Sequence, residues 1–226
     1  MTKISNLSTK IINFANSLIL KLLVRSKRQH IRSYYWNLRA RDIHGKWGNG
    51  VSDFEALKGV ISLVKPTSLL DIGCGSGRCF SLYMEMNIPE VVGQDISSNA
   101  ILICKKRFPN SGYKLLCCDI KDLEYDYDYF DLIISTRALS AVLPKDIEDT
   151  IDALCKIGKF IYINEMTDSD CIGPSNYWFK HDYEKLMRMN NYSIVKTGII
   201  SVVEDGKHHD QTWKLCRKLY SWQSSQ

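Results

Sequence analysis

Leu69-Leu70-Asp71-Ile72-Gly73-Cys74-Gly75-Ser76-Gly77-Arg78 is the stretch on which the fold reading turns. An apolar run carrying one acid leads into three glycines separated by single residues, and a helical pattern follows. Chain leaving a buried strand at such a point must turn sharply and let a ligand meet bare backbone, which glycine permits without steric cost. The dinucleotide fingerprint, G-x-G-x-x-G, needs glycine at the sixth place. Arg78 stands there instead, so the spacing is G-x-G-x-G with Asp71 two residues ahead.

Outward from this loop the pattern alternates between helix and strand. Upstream, residues 53–64 read as a helix that Asp53 can cap and Pro66 closes, and Ser68 to Ile72 reads as a buried strand. Downstream come a helix over 78–87, a strand over 91–95 and a helix over 97–107 with Ser97 or Ser98 as cap. Strands follow at 114–118 and 130–135, then a helix at 144–156 with Pro144 near its first turn, a strand at 159–164 and a helix at 182–190. There the alternation stops. Residues 193–203 and 211–220 are strand-like runs joined by Glu204-Asp205-Gly206-Lys207, which leaves room only for a hairpin. The expected fold is α/β, a mostly parallel sheet with one antiparallel strand and helices on both faces.

The acid followed by G-x-G-x-G resembles the first motif of the class I S-adenosylmethionine-dependent methyltransferases, and the element order extends the resemblance over roughly residues 50–220. The resemblance implies a seven-stranded sheet in the order 3-2-1-4-5-7-6 with strand 7 antiparallel, and S-adenosylmethionine as cofactor. It implies that Asp71, Gly73, Cys74, Gly75 and Gly77 form the cofactor loop, with Asp71 steadying it and the amino group of the methionine moiety. Asp95 and Ile96, at the end of the next strand, match the position that grips the ribose. A carboxylate suits that work because it accepts from two adjacent hydroxyls at once. Asp119 and Ile120 match the adenine position, and Ser135, with Thr136, falls where the family brings backbone to the methyl donor. A helix-capping role for Asp95 and a turn role for Asp119 are the structural alternatives.

The acceptor half is less legible. The family's nucleobase amino-methylation motif would follow strand four, where Ser135-Thr136-Arg137-Ala138 stands instead. The Pro-Cys of cytosine enzymes is missing as well, and Ala141 occupies a place where many O-methyltransferases carry histidine. After strand five, His181 has the unperturbed pKa of a general base near neutrality. A surface position beside a capping Asp182 is the other reading. Arg137 is suited to hold an anionic acceptor, or to make a plain salt bridge. The expected activity is O-methylation of a small molecule or a glycan precursor such as a lipid-linked saccharide. An RNA methyltransferase, a non-catalytic cofactor-binding subunit and a nucleotide-dependent oxidoreductase are the rivals.

Charge divides the chain of 226 residues unevenly. Residues 1–46 hold ten Lys or Arg against Asp42 alone, a balance of +9, while the rest carries −4. A basic arm usually means an anionic partner. Here Ile4, Leu7, Ile11, Phe14, Leu18 and Leu22 recur at helical spacing, so the arm over residues 4–28 reads as amphipathic and favours a lipid or protein surface over nucleic acid. It docks on an anionic leaflet, on its own domain or on a second copy in a homodimer. Polar residues interrupt 11–24, which is too short for a membrane span. The division expected is 1–49 as extension and lid, with Tyr34-Tyr35-Trp36 over the cofactor, and 50–226 as the cofactor-binding domain. None of the eight cysteines shows C-x-x-C spacing, so reduced thiols, no metal and a cytoplasmic location, peripheral on the inner membrane face, are expected.

Overall fold

The computed structural model describes residues 32–40, 53–165, 178–204 and 207–220. The predicted arm over 4–28, the glycine-rich turn at 48–50 and residues 172–177 of the post-strand-five insertion lie outside them. Helix α1 covers residues 32–40. It is followed by α2 (Phe54–Val64), β1 (Ser68–Ile72), α3 (Phe80–Glu85), β2 (Glu90–Asp95), α4 (Ser98–Arg107), β3 (Lys114–Cys117) and β4 (Phe130–Thr136). Then come α5 (Ile147–Ile157), β5 (Gly158–Asn164), α6 (Tyr183–Met189), β6 (Tyr192–Glu204) and β7 (Lys207–Lys218). Short 3-10 turns at Ile120–Asp122 and Leu139–Ala141 follow β3 and β4.

The seven strands order as β3-β2-β1-β4-β5-β7-β6. Pairings among β1 to β5 are parallel, and β7 runs antiparallel to both β5 and β6. The expected order and the single reversed strand are both present. The parallel crossovers bring the ends of β1, β2, β3 and β4 to one edge, where the glycine loop lies.

Side chains alternate across the sheet, so successive residues feed two cores. Leu69, Val91, Leu132 and Ile134 pack with Leu57, Phe80, Tyr83 and Ile101 on the face of α2, α3 and α4. Leu70, Ile72, Val92 and Ile133 pack with Ile151, Leu154, Leu186 and Met187 on the face of α5 and α6. Each fully buried Leu or Ile contributes about 1.5–3 kcal/mol. The same alternation turns Asp71 toward the first core.

Two local expectations are corrected. Asp53 makes no side-chain cap for α2; its two carboxylate oxygens accept from the two terminal guanidinium nitrogens of Arg78 at 2.5 and 2.6 Å. An ion pair with a half-buried guanidinium outcompetes a neutral cap hydrogen bond. Helix α5 begins at Ile147, three residues past Pro144, because residues 144–146 form a turn, with the Asp146 amide donating to Leu143.

Candidate active site

Gly73, Gly75 and Gly77 all have positive φ, at 62°, 57° and 77°. At two of them packing also forbids a side chain. A Cβ on Gly73 would lie 2.5 Å from the Ala138 methyl, and one on Gly77 would lie 2.7 Å from the Cys104 sulfur. Gly75 differs, because a Cβ there meets only the Gly73 carbonyl, at 4.0 Å. The loop is thus pinned at both ends and faces open space at its middle, which is the shape of a backbone cradle.

Two carboxylates approach the cradle. Asp71, between Gly93 of β2 and Ile134 of β4, is buried and accepts from the Tyr83 hydroxyl at 3.0 Å. Burial pushes its carboxyl up to about 7, against the pull of that hydrogen bond. Asp95, at the end of β2, accepts the Gly75 amide at 2.9 Å and the Ser97 amide at 2.8 Å. Burial raises it too, and these amides oppose the shift. Asp95 therefore shapes the loop, and Ile96 follows it into the turn before α4. The cap of α4 is Ser97, whose hydroxyl accepts from the Ala100 amide.

Asp119 follows β3 and accepts the Lys121 amide at 3.2 Å, so it also organises the 3-10 turn that buries Ile120. Gln94 is a residue the sequence reading missed. Its buried amide accepts from Gly73 N at 3.3 Å and donates to the Cys118 carbonyl at 2.6 Å, joining the glycine loop to the Asp119 turn. Nothing in its sequence neighbourhood marks it, since its partners lie in the loops that follow two other strands.

After β4 the chain turns tightly. Ser135 is fully buried and its hydroxyl donates to Glu165. It therefore offers the site backbone only. The Thr136 hydroxyl, one residue on, is buried with no hydrogen-bond partner. Arg137 adopts φ 60°, a left-handed conformation costly for a side-chain-bearing residue and the kind of strain that collects at functional sites. Its amide donates to the Asn164 carbonyl at 3.0 Å.

Helix α1 lies across this edge. Asn37 Oδ1 accepts from the Ser97 hydroxyl at 2.9 Å and the Asn99 amide at 3.2 Å, and the Asn37 carbonyl accepts from Asn99 Nδ2 at 2.9 Å. Arg32, only 1% exposed, donates to the Ala141 carbonyl at 3.3 Å. Trp36 meets Trp178 with ring centroids 5.6 Å apart. His181 Nε2 lies 3.0 Å from the Val142 carbonyl, so that nitrogen carries the proton and Nδ1 keeps its lone pair. Burial lowers the His181 pKa below its ordinary value, against the help of nearby carbonyls.

A family model for the methyltransferase domain matches residues 63–221. The chain belongs to the methyltransferase-domain family. Its cofactor is S-adenosylmethionine, and the residues present fit it: a cradle open at Gly75, two acids at its rim and an orphaned hydroxyl at Thr136. Among curated proteins, an uncharacterised protein of Haemophilus influenzae is 27% identical over 168 residues, 70% of this chain and 65% of that one. A ribosomal protein L11 methyltransferase of Lactobacillus gasseri is 31% identical over 134 residues, 59% of this chain and 39% of its own length. The chain thus spans about two thirds or less of these relatives. Among solved structures, magnesium protoporphyrin IX methyltransferase from Synechocystis PCC 6803 with bound SAH superposes at TM-score 0.65 with 16% identity, covering 85% of this chain and all of that one. That likeness establishes the fold. Among the described residues no helix is long and apolar enough to cross a membrane.

Proposed function

We propose that this domain transfers a methyl group to an oxygen of a small molecule or glycan precursor held beneath α1, working in the cytoplasm. The observation that carries the reading is the span of α1. Asn37 ties it to the start of α4 on the ribose side, and Arg32 ties it to the loop after β4 on the methyl side. A helix tied to both rims, with Trp36 against Trp178, supports an acceptor that is small enough to be covered and shielded from water.

Bound S-adenosylmethionine supplies an electrophilic methyl on a positively charged sulfur. What remains for the chain is alignment and, for a hydroxyl acceptor, removal of one proton. We assign the second task to His181. Its Nε2–H points at the Val142 carbonyl, so Nδ1 is the nitrogen that takes the acceptor's proton, and the carbonyl then steadies the imidazolium. Because burial lowers its pKa, the neutral, base-competent form persists below pH 6.5. Arg137 is assigned to orienting an anionic part of the acceptor.

The test is a radiolabelled methyl-transfer assay with lipid-linked saccharides, small hydroxylated metabolites, RNA and ribosomal protein L11 as separate acceptors. Transfer to a hydroxylated small molecule supports the reading, and transfer to RNA or protein alone overturns it. With the active acceptor, His181→Asn is expected to lower turnover by about 10²–10⁴ with SAH affinity unchanged. It should also remove an acid limb that lies below the ordinary histidine range. Full activity of the variant would exclude His181 as the base.

A further inference from the structure

Glu165 follows β5 directly and is 2% exposed. A carboxylate taken out of water must be compensated by hydrogen bonds. Five donors do so here. Oε1 accepts from the Ser135 hydroxyl and from the amides of Ala138 and Leu139, both at 3.0 Å. Oε2 accepts from the Ser140 amide at 3.0 Å and its hydroxyl at 2.8 Å. Three consecutive amides on one carboxylate mean that the chain is wrapped around it.

The opposite edge of the same turn is also used. The carbonyl of Ser140 accepts the Phe179 amide at 2.7 Å. That of Ala141 accepts from Arg32 of α1, and that of Val142 from His181. One short loop thus presents its amides to Glu165 and its carbonyls to both covering segments. Its Ala138 also packs against Gly73, where a Cβ would come within 2.5 Å.

We propose that Glu165 is the positioning residue of the site: by gripping residues 138–140 it sets the turn from which α1 and the 178–182 segment hang, and against which the glycine loop rests. The role is independent of the acceptor's identity. It predicts that losing the carboxylate loosens the cover and the cofactor loop together, while the far side of the sheet stays intact.

The experiment compares Glu165→Gln with Asp131→Asn in the full chain. The glutamine keeps the volume, but its amide nitrogen cannot accept from backbone N–H. Asp131 is the control, at the opposite end of β4, where it accepts from Thr67 and Lys159 without touching the turn. SAH affinity is read by calorimetry, amide exchange at Phe179 and Ala138 to Ser140 by NMR, and the Trp36–Trp178 pairing by near-ultraviolet dichroism. For Glu165→Gln the expected results are SAH affinity weakened at least about tenfold, exchange at Phe179 faster by at least about tenfold, and a lost tryptophan couplet. Asp131→Asn should lower Tm and leave all three readings at wild-type values. Should the glutamine variant fail to fold, Ser140→Ala, which removes one donor from the carboxylate, takes its place, with faster Phe179 exchange expected. Wild-type exchange and affinity in the tested variant overturn the proposal. So does Asp131→Asn reproducing the Glu165→Gln pattern, because Glu165 would then act on stability alone.

Discussion

Asp71 sits on the face of β1 turned toward Tyr83, and burial pushes its carboxyl up to about 7 from an ordinary 3.8. Between those values the folded, ligand-free protein keeps a proton that the unfolded chain has released. Asp71 therefore subtracts stability as pH rises through that window. An ammonium placed beside it draws the proton off again. SAH affinity is accordingly expected to weaken as pH falls below about 7, approaching tenfold per pH unit, and Asp71→Asn should both weaken binding and flatten that dependence. Calorimetry in buffers from about pH 5.5 to 8 measures the slope, and an unchanged slope in the variant would rule Asp71 out as its source. Arg78 makes a complementary point. In the place where a dinucleotide fingerprint has glycine, its guanidinium anchors the start of α2 through Asp53, so the departure from the fingerprint has a structural use.

Helix α1 buries Arg32, Tyr35 and Ala40 and leaves Tyr34 and Leu38 exposed, so one face of it is committed to the body. The attachment at its centre is Asn37, which satisfies the polar groups at the N-terminus of α4 that the helix itself cannot. Each such hydrogen bond contributes about 1 kcal/mol, so Asn37→Ala is expected to speed SAH dissociation roughly fivefold to thirtyfold and to lower Tm by a few degrees. Stopped-flow fluorescence checks this. An unaltered dissociation rate would mean that α1 does not close over the cofactor.

Across the whole molecule, charge and chemistry are segregated. The −4 body holds the acids of the cofactor edge, and the +9 lies in the first 46 residues. From the amphipathic spacing of residues 4–28, deletion of residues 1–28 is expected to abolish co-sedimentation with anionic vesicles at low salt and to leave SAH affinity intact. Undiminished sedimentation of the shortened chain would remove the membrane reading.

The order of elements, the strand reversal and the cofactor loop were legible in the amino-acid sequence because each is set locally. Hydrophobic period chooses helix or strand, and a left-handed turn demands glycine where it falls. The acids at 71, 95 and 119 are singled out by the resemblance to the family's motifs and not by any local rule. Only the tertiary structure decided what each side chain does there. It turned the Asp53 carboxylate from a cap to Arg78, gave Gln94 the join between two loops, and assigned the Glu165 carboxylate to the turn after β4. It also aimed His181 Nε2 at Val142. These pairings join residues some 20 to 40 positions apart. Which donors meet a buried acceptor is decided when separate elements pack, and no local pattern in the chain carries that information.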